Sequence, residues 1–198
     1  MKYLLPVLLL TSFLLSAEAQ SDISRLRLEK AKEYFVSEKY HESLIEFLKL
    51  DEEYNLSTHY YAYMGLCFYK EGEYEKACTY YAKAKKYIDA CAPSERSIYL
   101  YTLGESNFRL EHYSEARSCY EMMLDVCRDE EKADAYYHIG FCQYLTNEKI
   151  GALHSFRLSL KNYKNHPHAT GTKARLTQLH KMIVGLENEL NNKSTDNE

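Results

Sequence analysis

The chain has no tryptophan, only three prolines and only seven glycines in 198 residues. Collagen-like and low-complexity architectures are excluded by that scarcity, and 27% charged residues beside 45% hydrophobic ones set the chain apart from disordered sequences. Basic side chains are not in excess either, since 25 Lys and Arg face 29 Asp and Glu, a net charge of −4. A nucleic-acid binder needs a basic footprint, so nucleic acid is not an expected partner. Paired C-x-x-C spacings, a phosphate-cradling glycine loop, a nucleophile elbow and a zinc-protease helix are all missing from the sequence. No metal, cofactor or catalytic residue is therefore expected, and the chain reads as a non-enzyme.

What is abundant is tyrosine, twenty of them beside seven phenylalanines. Tyrosine buries its ring while its hydroxyl finds water or a partner, which suits a fold with much surface per residue. A thin helical array is such a fold.

The only extended apolar run stands at the start. Met1-Lys2 precedes apolar residues from Tyr3 to Leu15, and Ala17-Glu18-Ala19 follows. A basic start, a short apolar stretch and small residues two apart form the pattern of a secretory signal, with cleavage expected after Ala19. Residues 1–19 carry one basic and one acidic side chain, Lys2 and Glu18, so the mature chain keeps the −4 balance. The expectation is an exported protein, the bacterial periplasm being favoured, without stable membrane insertion once the signal is cleaved.

Self-comparison is more informative. Ala31, Gly65, Gly104 and Gly140 are each followed twelve residues later by Ser43, Ala77, Ala116 and Ala152. Four residues beyond those stand Phe47, Tyr81, Tyr120 and Phe156. All three series step by 34, 39 and 36 residues, so the chain contains four related units. Within "YYAYMGLCFY" the residues Tyr61, Met64, Gly65 and Phe68 recur at helical spacing, Gly72 marks a turn, and Tyr74, Ala77, Tyr81, Ala84 and Ile88 form a second stripe. Two antiparallel helices approach closely only where one presents Gly or Ala to an aromatic on the other. That need accounts for the fixed intervals.

With these residues in register, the chain resembles the tetratricopeptide-repeat family of helix-turn-helix modules. The second unit carries nearly the whole pattern. The fourth lacks the turn glycine, having Asn147, and the first matches mainly at Ala31, Tyr34, Tyr40, Ser43 and Phe47. The resemblance implies an all-α fold, a right-handed α-solenoid of about four units at 24–57, 58–91, 97–130 and 133–166. Helix 169–191 would cap the last exposed core face, and a polar tail over 192–198 would be disordered. The five residues added between units two and three fall around Ala90 to Arg96, where Pro93 favours a loop.

The resemblance further implies that the first helix of each unit lines a concave trough that takes a protein or peptide segment. Register puts Lys32, Phe35, Leu66, Tyr69, Lys70, Tyr101, Glu105, Phe108, Arg109, Tyr137, Phe141 and Tyr144 there. The aromatics would supply contact area, and Lys70, Glu105 and Arg109 would set register. Some family members grip a terminal carboxylate with paired Lys, Asn and Arg; of Leu28, Lys32, Ile98 and Thr102 at those places only Lys32 fits, which disfavours that mode. The expected function is thus an exported, monomeric scaffold or adaptor. The alternative is a self-associating structural component of an envelope assembly, and a redox or metal role for the cysteines is a weaker third.

Six cysteines in an exported chain raise the question of disulfides. Cys67 lies five residues before the Gly72 turn and Cys78 six after it, so antiparallel helices put them at nearly equal height, and this pair is the candidate bridge. Packing of both as small buried hydrophobes is the competing reading. His138 and Cys142 stand four apart on one helix, but two ligands make no metal site.

Overall fold

The computed structural model describes residues 22–54, 56–166 and 172–195. The proposed signal at 1–19 and most of the linker before the last helix lie outside the described residues. Among those described, every regular element is helical. The chain is helical over 22–36 (α1), then forms α2 (Tyr40–Glu53), α3 (Thr58–Lys70), α4 (Tyr74–Ala90), α5 (Pro93–Arg109) and α6 (Tyr113–Leu124). A single 3-10 turn at Asp129–Glu131 leads into α7 (Lys132–Leu145), followed by α8 (Lys149–Asn165) and α9 (Thr172–Thr195). Each helix packs on its neighbours in sequence, most intimately within the hairpins α3/α4, α5/α6 and α7/α8, so the molecule is an all-α solenoid.

The small-residue series does what close helix approach demands. A methyl group added at Gly65 would stand 2.8 Å from the Tyr81 ring, at Gly104 2.8 Å from Tyr120, and at Gly140 2.6 Å from Phe156. In the first unit Ala31 takes the glycine's place, and the Ser43 hydroxyl donates to its carbonyl at 2.9 Å. The four aromatics Phe47, Tyr81, Tyr120 and Phe156 are essentially sealed from water. Each contributes about 1.5–3 kcal/mol by burial. Two of them are tyrosines because a partner waits for the hydroxyl: Tyr81 bonds Thr102 at 2.6 Å, and Tyr120 donates to Glu105 at 2.6 Å.

The hairpin turns are equally regular. Glu38, Gly72, Glu111 and Asn147 occupy one place in the four units, and all four adopt left-handed backbone, with φ of 58°, 78°, 62° and 64°. Around each, two bonds close the first helix, as in Lys39 N–H to Tyr34 O at 2.9 Å, Glu73 to Phe68 at 2.9 Å, His112 to Asn107 at 2.9 Å and Glu148 to Gln143 at 2.8 Å. This is the Schellman ending, which satisfies carbonyls the helix leaves open. The first unit has the same turn as the others, and Asn147 substitutes for the glycine because a short polar side chain tolerates this region.

Two sequence expectations need correction. The loop in the stretch from Ala90 to Arg96 is only Cys91 and Ala92: Pro93 is the first residue of α5, where its missing N–H costs nothing and its fixed φ suits a helix start. The added residues lengthen α5 to 17 residues against 13 for α3. The tail is not free from residue 192 either, because α9 continues to Thr195.

Candidate interaction surface on the inner helix row

The first helices of successive units touch across every junction. Phe35 on α1 stacks on Tyr63 of α3 at 4.6 Å, and Glu105 on α5 meets His138 Nδ1 of α7 at 3.0 Å. Tyr137 on α7 donates to Gln178 of α9 at 2.8 Å. Between second helices, clefts open instead. One of about 400 Å³ separates Leu44, Ile45 and Leu48 on α2 from Lys76 and Tyr80 on α4. Another of about 410 Å³ separates Cys78 and Ala82 on α4 from Glu115, Cys119 and Met122 on α6. An array closed along one helix row and splayed along the other curves toward the closed row, so α1, α3, α5 and α7 line its inner face.

Ten of the twelve residues expected along that face keep some exposure. Lys70, Arg109 and Tyr144 are exposed, while Lys32, Phe35, Leu66, Tyr69, Tyr101, Phe108 and Phe141 are partly so. Leu66 and Tyr144 stand clear of the core clusters, but Tyr101 and Phe141 are anchored in them, Tyr101 edge-on to His138 at 5.6 Å and Phe141 edge-on to Phe156 at 5.1 Å. Val36, Ile98 and Leu145 add exposed apolar surface to the same helices.

Glu105 and Tyr137 are not surface groups. Glu105 is only 8% exposed and accepts from both Tyr120 and His138, so it joins units three and four from inside. A carboxylate only accepts, so the His138 nitrogen facing it carries the proton. The imidazole lies against the Tyr120 ring at 4.9 Å, and its Nε2 is buried without a partner among the described residues. Burial by itself pushes the Glu105 carboxyl up, but hydrogen bonds and charge from His138, the Tyr120 hydroxyl and Arg109 outweigh it, leaving the group below the ordinary glutamate value. Tyr137 is 6% exposed because α9 lies over it, with the Arg175 guanidinium 4.0 Å from its ring centre. Sequence register placed both residues correctly on their helices; it did not reveal His138 as the partner of one or Arg175 as the cover of the other.

Charge on the inner row is unevenly satisfied. Lys32 pairs with Glu29 at 2.7 Å. Glu95 accepts from Tyr87 at 2.7 Å and Tyr99 at 2.9 Å, and Asp134 accepts from Tyr163. Lys70 and Arg109 have no ion pair among the described residues; the Lys70 ammonium rests 5.5 Å from the Tyr40 ring.

All six cysteines are free thiols. Cys67 is fully buried beside Ser43 of α2, whereas Cys78 turns the other way, to the cleft shared with Cys119 of α6, so the expected pair faces different neighbours and is not bridged. Burial pushes the thiols of Cys67, Cys119 and Cys142 up to about 12. No group of three or more potential metal ligands exists among the described residues.

The tetratricopeptide-repeat family model matches residues 63–87, which span the Gly65, Gly72, Ala77 and Tyr81 pattern of the second unit. The second unit thus carries a tetratricopeptide repeat. No curated protein matches it in sequence. Solved structures similar to this repeat array include the MamA protein, with a TM-score of 0.57 and 14% identity over 88% of this chain and 96% of that one. MamA AMB-1 gives 0.60 and 10% over 81% and 93%. MamA 41-end from Desulfovibrio magneticus RS-1 gives 0.57 and 14% over 83% and 93%. At such identities the likeness extends to the repeat fold alone.

Proposed function

We propose that this repeat array is a non-catalytic scaffold that holds a protein segment along its inner helix row, acting as an exported, monomeric adaptor. The supporting observation is that row's surface: aromatic and aliphatic groups from four successive helices, fixed by core packing beneath them, with Leu66 and Tyr144 standing clear of the core. A rigid surface of this kind spends little ordering entropy on binding, so the partner bears most of that cost. Export rests on the basic and apolar start of the sequence and its Ala-x-Ala site.

The test is in-cell crosslinking of the tagged protein followed by mass spectrometry, beside a Leu66→Ser/Tyr144→Ser variant. A partner captured by the natural protein and lost by the variant supports the proposal. Tyr101 and Phe141 are unsuitable for this purpose, since both are half-buried and packed on the core. Capture of only further copies of the chain, or equal capture by both proteins, favours the self-associating structural role.

A further inference from the structure

The inner row of an acidic molecule carries unspent positive charge. Lys70 and Arg109 close α3 and α5 at the same place in their units, thirteenth in each, and both are exposed. Neither forms an ion pair among the described residues: Glu29, Glu95, Glu105 and Asp134 are engaged with Lys32, with Tyr87 and Tyr99, with Tyr120 and His138, and with Tyr163, and Arg109 acts on Glu105 only through its charge. Glu38 and Glu111 lie in the turns and form no ion pair with either cation. Beside the two cations stand Tyr69 and Phe108, each one residue earlier on its helix and partly exposed.

Resting on the adaptor reading above, we infer that the segment held by the inner row is acidic and apolar together, with carboxylates paired to Lys70 and Arg109 and apolar side chains laid on Leu66, Tyr69, Phe108 and Tyr144. Helices α3 and α5 are direct neighbours. Packed helices lie about 8–10 Å apart. A segment in the polyproline II conformation has three residues per turn and rises about 3.1 Å per residue, so two of its carboxylates three residues apart share a face and span that gap. The recognised pattern is therefore two acidic residues at i and i+3 within an apolar stretch. The helix C-terminal dipoles alone would favour cations at these two positions. They do not require those cations to lie beside partly exposed aromatics on the inner row with no ion pair among the described residues.

The experiment is selection from a random twelve-residue display library on the immobilised full chain, followed by affinity measurement of the selected peptides at low and high salt. The expected selectants carry Asp or Glu at three-residue spacing beside aliphatic or aromatic residues. Their binding weakens at least tenfold in Lys70→Glu/Arg109→Glu, and in added salt. Both cations are exposed, and unchanged melting of that variant confirms that the fold is intact. Selectants without acidic enrichment, or acidic ones indifferent to the charge reversal, overturn this inference; if they still fail on Leu66→Ser/Tyr144→Ser, the inner row remains the binding surface. If nothing is selected, or selectants ignore both variants, the inner-row reading falls with it.

Discussion

At the residue scale, glycine has two opposite meanings in this chain. Gly104 is in helix α5 because the Tyr120 ring occupies the space a methyl group would need, at 2.8 Å. Gly185 sits in helix α9 with nothing within 4 Å of an added methyl group. Alanine is the better helix former by about 1 kcal/mol, so only contact decides the sign at each site. Gly185→Ala is expected to raise stability by about 0.5–1 kcal/mol. Gly104→Ala is expected to lower it by about 1–3 kcal/mol, since the fully buried Tyr120 has no room to retreat. Urea denaturation of the two variants checks both signs, and destabilisation of the same size at both sites would mean that helix contact is not what selects glycine. The Gly65, Gly104 and Gly140 series was legible in the sequence for this reason: close approach leaves a composition signature at fixed intervals.

At the element scale, the hairpins show what the sequence carried and what it hid. The left-handed turn residue is a glycine only in unit two, yet the same backbone recurs at Glu38, Glu111 and Asn147. The turn is dictated by two antiparallel helices meeting at fixed height, and glycine merely makes it cheaper. A glutamate there stores about 1–2 kcal/mol of backbone strain. Glu111→Gly should relieve it, partly offset by the entropy glycine loses on folding, and raise stability by up to about 1 kcal/mol. Thermal melting monitored by circular dichroism tests this, and a lower melting temperature would show that the Glu111 side chain contributes more than the strain costs. Pro93 was misread because proline at a loop and proline at the first turn of a helix look alike locally. What distinguishes them is distant: the added turn of α5 places Glu95 to accept from both Tyr87 and Tyr99.

At the scale of the whole molecule, units communicate through few side chains, and the Glu105 to His138 contact joins the third to the fourth. Register alone could not find it, since nothing in the third unit announces a histidine in the next. A carboxyl lowered on folding stabilises the folded chain above its unfolded value, and that contribution is lost as pH falls through the folded value. Glu105→Gln should therefore cost about 1–3 kcal/mol near neutrality, because the amide removes the charge and turns an amino group toward Tyr120 or His138 where an acceptor stood. The gap between natural and variant melting should narrow as pH is lowered below the ordinary glutamate range. A gap that stays constant with pH would mean that Glu105 acts by shape rather than by charge.

The splay of the second helices has a mechanical consequence. Bending the array tighter needs only that the clefts of about 400 Å³ and 410 Å³ widen, which separates surfaces already apart. Straightening it closes those clefts about the inner-row contacts of Phe35 with Tyr63 and Glu105 with His138, which neither motion has to break. The molecule is thus hinged along its inner row, with the outer clefts taking up a change of curvature in either direction.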